Sequence, residues 1–327
     1  MAKKTVVVAY KAPPPQKALF EELLGSACRL VYLAGLAAPE RARALESAEV
    51  LLSWNVPREL AAGEYALLGR AALLQLLSAG ADHVPFADLP EHLVVASNAG
   101  AYAGPMAEHV LAMTLALAKR LLLQNEKLKR GEFDQSSPNR VLRGMAAGII
   151  GFGGIGRATA RLMRPFGMKI LALNSTGHSD EPADFVGTLM DLSRVLVASD
   201  VVVLCLPLMK LTRNLIGRRE LELMKPEAIL INVARAGLVD EEALFRHAKD
   251  HPGFQAGIDA WWSEPFAHGA FHMEFPFLDL PNVLGSPHNS AVVPSILEDG
   301  ARSASANILR FLRGEPLAGV VKRDDYV

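Results

Sequence analysis

The chain has 327 residues, half of them hydrophobic, with a formal net charge of −1 and two cysteines. This balance gives no electrostatic reason to seek nucleic acid or an anionic membrane as a partner, and the length fits two globular domains with sizeable cores. Cys28 and Cys205 show neither disulfide nor zinc spacing, which favours a reducing compartment and a cytoplasmic location.

Residues 1–10 are basic and then apolar. A secretory leader needs a longer apolar stretch. Here Lys11 and Pro13-Pro14-Pro15 follow, so a first β-strand is expected at 6–10. Further strands are expected at 50–54, 73–77 and 93–97, with helical composition at 16–24, 39–47 and 57–68. Residues 105–129 read as one long helix. Its stretch 105–123 is very apolar, but Glu108, His109, Lys119 and Arg120 leave an uncharged run too short for a bilayer, so a largely buried helix is expected. A polar loop follows at 131–139, and then a second set of strands at 147–151, 169–173, 201–206, 229–233, 254–260 and 283–286. Helical segments at 157–166, 191–198, 218–224 and 241–247 fill the gaps, and a last helix at 294–312 follows the final strand. Strands alternating with helices imply right-handed βαβ units and parallel sheets. The fold class expected is α/β, with two doubly wound parallel-sheet domains of Rossmann-like or flavodoxin-like type. The expected division is 1–98 with 290–327, and 99–289, the last helix returning to the first domain.

The run Gly148-Ile149-Ile150-Gly151-Phe152-Gly153-Gly154-Ile155-Gly156 opens the second set. An apolar strand breaks into G-x-G-x-x-G and continues as a helix, which suits a phosphate cradle. Gly151 permits the tight turn, Gly153 lets the backbone approach a pyrophosphate, and Gly156 lets the helix pack close. With Gly154 and Ile155 these residues open a helix whose N–H groups and dipole attract phosphate. The next strand ends at Asn174-Ser175-Thr176-Gly177-His178. Asn174 stands where an Asp would chelate the ribose hydroxyls of NAD and repel the 2′-phosphate of NADP. Asn removes that repulsion, and Ser175 and Thr176 add hydroxyl donors, so NADP is favoured over NAD. No Arg follows directly, although a bidentate Arg is the usual phosphate clamp.

Three later segments carry residues suited to carbonyl redox chemistry, each just after an expected strand. They are Ile231-Asn232-Val233-Ala234-Arg235-Ala236-Gly237, Gly257-Ile258-Asp259-Ala260-Trp261-Trp262-Ser263-Glu264-Pro265 and Pro281-Asn282-Val283-Leu284-Gly285-Ser286-Pro287-His288. In a doubly wound sheet the carboxyl ends of strands face the ligand crevice, so sequence-distant residues can converge there. The remaining histidines show no metal-ligand pattern, and no metal is expected.

With these residues in view the chain resembles the D-isomer-specific 2-hydroxyacid dehydrogenase family, from about Leu74 to the C-terminal helix. The resemblance runs through Ser78-Ala79-Gly80-Ala81-Asp82, Asn98-Ala99-Gly100-Ala101, Ala107-Glu108-His109, Gly151 to Gly156, Leu206-Pro207-Leu208, Asn232-Val233-Ala234-Arg235, Glu264-Pro265 and Pro287-His288. It implies an active site in the cleft between the two domains and a homodimer formed through the cofactor domain, with 105–123 as the candidate interface. It also implies roles. Arg235 would hold the substrate carboxylate in a bidentate fork. His288 would be the acid/base, and Glu264 would orient it and favour the imidazolium, hence ketoacid reduction. Backbone N–H groups at Ala79 and Gly80 would bind the substrate carboxylate. Asp259 would bind the nicotinamide carboxamide, and Pro207, Thr212 and Val233 would line the cofactor. Trp54 is a candidate wall of the substrate pocket. Of Trp261 and Trp262, one is expected in the core and the other narrowing the cleft; His109 is expected to pack or to serve the domain hinge. Ala236 and Met209 depart from the Gly and Thr usual there. The expected activity is NAD(P)-dependent reduction of a small 2-ketoacid such as glyoxylate or hydroxypyruvate. The alternatives are an NAD(H)-sensing, co-repressor-like binding protein and a formate-type dehydrogenase, whose members carry Gln where Glu264 stands.

Overall fold

The computed structural model describes residues 3–326; Met1, Ala2 and Val327 lie outside the described residues. The chain divides into two compact units, Met1–Tyr102 with Val293–Val327, and Ala103–Val292. The breaks fall after Tyr102 and Val292, where the sequence reading placed them after Asn98 and Asn289.

The first unit holds strands β1 (Thr5–Val8), β2 (Arg29–Tyr32), β3 (Val50–Ser53), β4 (Leu73–Leu76) and β5 (Val94–Ala96). All pair in parallel in the order β2-β1-β3-β4-β5, the flavodoxin-like order. Strands β1, β3 and β4 are buried throughout, and they read as Val/Leu runs because helices cover both faces. On one face lie Leu19, Phe20 and Leu24 of helix Pro14–Leu24 with Ala301, Ala304 and Ile308 of helix Ile296–Arg313. That last helix is therefore part of this unit. Asn307 Nδ2 donates to Gln75 Oε1 at 2.6 Å and to Ala318 O at 3.0 Å, and Gln16 Nε2 donates to Leu297 O at 3.0 Å. Sequence reading omitted β2, an edge strand whose Arg29 is exposed and whose other residues are half-buried. Residues 57–68 are not one helix: a turn at Val56–Glu59 and a 3₁₀ segment at Ala62–Leu68 flank Leu60 in extended conformation.

The second unit holds β6 (Ala146–Ile150), β7 (Lys169–Leu173), β8 (Phe185–Gly187), β9 (Val201–Leu204), β10 (Ile229–Asn232), β11 (Gln255–Ile258) and β12 (Val283–Gly285). Their order is β12-β11-β10-β9-β6-β7-β8, all parallel. From β6 the chain winds outward to β8 and then returns to β9 on the other side. The boundary between β6 and β9 is thus the topological switch point of a doubly wound sheet, where ligands bind. The short edge strand β8 is the second one that local sequence did not reveal.

Helix Ala103–Ala118 packs on helix Gly154–Met163 and over β10 and β11. It buries Met106, Ala107, Val110, Met113, Thr114 and Leu117, one stripe at helical spacing. A Cβ on Gly257 of β11 would lie 2.6 Å from Ile231 and 3.5 Å from Leu117 and Met113, so the bare backbone lets this helix settle onto the strand. The long helix expected over 105–129 is broken. Arg120 takes a left-handed φ of 53°, and Leu121–Lys129 is a separate helix that buries none of its residues. Among the described residues no helix is long and apolar enough to cross a membrane.

Candidate active site

The glycine loop follows β6 at the switch point. Gly151 has φ +103°, and a Cβ there would meet the main chain at Cys205 C and Leu206 N, both at 2.6 Å. A Cβ on Gly156 would meet Gly151 O at 2.3 Å. These two glycines are required by the fold itself. Gly153 differs: it is exposed, and its Cβ would meet nothing within 4 Å. It is the N-cap of Gly154–Met163 and supplies no side-chain cap, so the first N–H groups of a ten-residue helix are left for an anion. The cradle therefore fits a dinucleotide pyrophosphate on local geometry, with open space at the one glycine that packing does not demand.

The β7 end carries the ribose-proximal residues. Asn174 Oδ1 accepts from the N–H of Thr176 at 3.0 Å and of Gly177 at 2.7 Å, while its Nδ2 donates to His178 O at 2.7 Å. Asn174 thus builds the loop as well as removing a charge, and it leaves Ser175 and Thr176 exposed. Beyond β9, Pro207 is exposed. Thr212 closes the 207–212 turn. It is fully buried, and its hydroxyl accepts from Met209 N and donates to Pro207 O, both at 2.8 Å. It staples that turn from inside. Val233 is likewise fully buried.

Arg235, Glu264 and His288 follow β10, β11 and β12. Asn232, closing β10, accepts from Ala234 N at 3.1 Å and donates to Arg235 O at 2.9 Å, which turns the chain there. His288 Nδ1 faces both Glu264 oxygens, at 2.9 and 2.8 Å. A carboxylate accepts only, so Nδ1 carries the proton and Nε2 is the nitrogen turned away from Glu264. Burial pushes the Glu264 carboxyl up. The hydrogen bond from His288, the Trp261 N–H at 2.7 Å and the charges of His288 and Arg235 outweigh it, and the net direction is down from 4.5. The pair is thus ionised Glu264 under a half-exposed imidazole, with the Arg235 charge close enough to act on it.

His288 itself has φ +50°, a left-handed conformation costly for a residue with a Cβ. Asp259 holds it there. Asp259 O accepts from His288 N at 2.8 Å, while its carboxylate accepts from Asn289 N at 3.1 Å, Ser290 N at 3.2 Å and Ser286 Oγ at 2.5 Å. Asp259 is fully buried. The clamp is not legible in the sequence, because main-chain partners leave no signature in side-chain type.

The two tryptophans are also settled by packing. Trp261 is buried beneath β12, its Nε1 donating to Ser286 O at 2.8 Å, and a Cβ on Gly285 would lie 2.7 Å from its ring. Trp262 stacks on Phe277 at 5.4 Å and donates to Val239 O at 3.0 Å. Trp261 is the member of the pair that lies in the core, and Trp262 is half-buried and packs against that core.

In the first unit, Trp54 follows β3 and the loop of Ala79 and Gly80 follows the neighbouring β4. Trp54 N donates to Glu59, and its ring meets Tyr10 edge-on at 6.4 Å. Ser78 Oγ donates to Gly80 O at 2.8 Å, and Ala79 and Gly80 are half-buried.

Residues 111–290 match the family model described as the NAD binding domain of D-isomer specific 2-hydroxyacid dehydrogenase. The chain belongs to that family. A glycerate dehydrogenase of Methylorubrum extorquens is 32% identical over 83% of this chain and 85% of its own length. A glyoxylate reductase of Thermococcus litoralis is 29% identical over 87% and 86%. Among solved structures, a D-isomer specific 2-hydroxyacid dehydrogenase from Xanthobacter autotrophicus in complex with NADPH and MES superposes with a TM-score of 0.83, at 25% identity and full coverage of both chains. This chain is thus a nicotinamide-dependent oxidoreductase that interconverts 2-hydroxy acids and 2-ketoacids.

Proposed function

We propose that this dehydrogenase reduces a small 2-ketoacid, of the size of glyoxylate or hydroxypyruvate, to the D-2-hydroxy acid. The observation that carries this reading is the His288–Glu264 pair, with Nδ1 fixed on the carboxylate and Nε2 left over. A reduced nicotinamide, when bound, would supply the hydride for the carbonyl carbon. The protonated His288 gives its Nε2 proton to the carbonyl oxygen, which becomes the hydroxyl, and ionised Glu264 stabilises the cation beforehand. Arg235 binds the substrate carboxylate in a planar two-point fork that Lys does not reproduce.

The proposed cofactor contacts are Gly151, Gly153, Gly154, Ile155 and Gly156 at the pyrophosphate, and Asn174, Ser175 and Thr176 at the adenosine ribose. Pro207, Thr212, Val233 and Asp259 complete the set. NADP is preferred in this reading, supported by the absence of a carboxylate at Asn174. Trp54, Ala79 and Gly80 are proposed substrate contacts, whose substitution alters KM for the ketoacid and not cofactor affinity. A homodimer through the cofactor-binding unit is proposed, supported by Leu121, Leu122 and Leu128, which are exposed on Leu121–Lys129. The cytoplasm is the proposed location, supported by two free thiols.

The test is oxidation of NADPH and NADH with a graded panel of 2-ketoacids, with formate and NAD(P)⁺ in parallel. Turnover fastest on the two- and three-carbon ketoacids is expected. Tight NAD(P)H binding without turnover favours the co-repressor-like reading, and oxidation of formate alone favours the formate reading; either overturns the proposal.

A further inference from the structure

One polar cluster in the cofactor-binding unit surrounds Asp259, and its members His109 and Ser286 have no part in the chemistry above. His109, on the helix that Gly257 seats over β11, places Nε2 3.0 Å from Ser286 Oγ and 3.8 Å from Asp259 Oδ1. Ser286 Oγ lies 2.5 Å from the same Asp259 oxygen. A hydroxyl has one proton, and the carboxylate only accepts, so Ser286 gives its proton to Asp259. The Ser286 oxygen must then accept from His109, which fixes His109 as the Nε2–H form. This order also excludes a nucleophilic serine, because the Ser286 proton points to the acid and not to the imidazole.

From this geometry we infer that His109 is a positioning residue for the reaction. It acts through Ser286 on Asp259, the group that holds the left-handed turn at His288. The chain of contacts runs from His109 Nε2–H to Ser286 Oγ, then to the Asp259 carboxylate, then to the N–H groups of Asn289 and Ser290. Asp259 O meanwhile takes the His288 N–H. Without His109 the Ser286 hydroxyl loses the donor that orients it and rotates more freely, and the carboxylate that grips the turn is less well aimed. The proton-donating Nε2 then spends less time at the carbonyl oxygen. Half-buried placement at the rim of the helix stripe suits this role, since the ring need only reach inward with one edge.

The kinetic part rests on His288 being the proton donor; the structural part does not. Two readouts therefore run together on the full-length protein. His109→Ala is expected to lower ketoacid kcat about tenfold, the scale of one misaligned hydrogen-bonded group, with NAD(P)H affinity within about twofold. His109→Gln, which places an amide N–H at similar reach, restores most of the rate. Ser286→Ala reproduces the loss, and the double variant is no worse than either single one. Hydrogen exchange at the Asn289 and Ser290 amides is expected to quicken in His109→Ala while amides of β6 and β10 keep their protection. Unchanged exchange at those two amides, or quickening shared equally with the sheet, overturns the positioning role whatever the enzyme reduces. Localised quickening in a protein that turns over no ketoacid leaves the clamp standing and refutes the proposed reaction instead.

Discussion

Gly151 and Gly153 belong to one fingerprint, yet the structure separates what each does. In Gly151→Ala the new Cβ must sit 2.6 Å from Cys205 C and Leu206 N and 2.8 Å from Cys205 O, at φ +103°. Ordinary carbon contacts are about 3.5–4.0 Å, so the overlap is about 1 Å against main chain that cannot rotate away. A left-handed, non-glycine backbone costs about 1–3 kcal/mol, and overpacking about 1–3 kcal/mol more. A loss of about 2–6 kcal/mol is expected, a large part of the roughly 5–15 kcal/mol that holds a typical protein together. In Gly153→Ala the Cβ meets nothing within 4 Å, and φ is −88°. Stability should change by no more than about 1 kcal/mol, because the unfolded chain loses freedom while ψ of −149° lies at the edge of what a residue with a Cβ adopts. Cofactor binding is where Gly153→Ala should fail. A methyl group over the helix N-terminus displaces the pyrophosphate from at least one charge-assisted hydrogen bond, worth about 1.5–3 kcal/mol, or about 10- to 100-fold in Kd. Urea unfolding and titration by NAD(P)H fluorescence measure the two quantities. A Gly153→Ala protein that is folded and binds within twofold of the parent, or a Gly151→Ala protein as stable as the parent, refutes this division of labour.

His288→Ala should reduce ketoacid turnover by about 10²- to 10⁴-fold, the usual worth of a positioned acid, with little change in NAD(P)H affinity; equal turnover removes its acid/base role. Asn174→Asp keeps the three bonds accepted by Oδ1 but loses the donation to His178 O, and it adds a charge facing any 2′-phosphate. The ratio of kcat/KM for NADPH to that for NADH should fall by about tenfold or more, and an unchanged ratio removes the case for NADP. The Glu264 carboxyl is lowered from 4.5 in the folded chain, so its contribution to stability is complete above that value and is lost only as pH falls through the lower folded one. Glu264→Gln should therefore narrow its stability deficit against the parent only below about pH 4.5, seen by urea unfolding at successive pH values; a deficit that vanishes already between pH 5 and 7 contradicts the ionised pair.

How much was legible depended on whether the signal was local. The central strands β1, β3, β4, β6, β9 and β10 announce themselves because a strand covered on both faces must be apolar at nearly every position. The edge strands β2 and β8 did not, although the edge strands β5 and β12 did, so lying at an edge is not by itself what hides a strand. The 105–129 segment looked like one helix because its composition is helical throughout; the break at Arg120 is a backbone event that composition does not encode.

By itself the sequence determined the cofactor cradle, the alternation that makes two parallel sheets, and the order of Arg235, Glu264 and His288. Each of these is written in neighbouring residues or in the rule that strand ends share one edge of a sheet. Only the tertiary structure decided that Glu264 meets Nδ1 of His288, that Trp261 lies beneath β12, and that Asp259 clamps the His288 turn with His109 and Ser286 behind it. Those contacts join residues from different strands and helices through single polar atoms and main-chain groups. Their partners are chosen by packing, which the residue types along the chain do not specify.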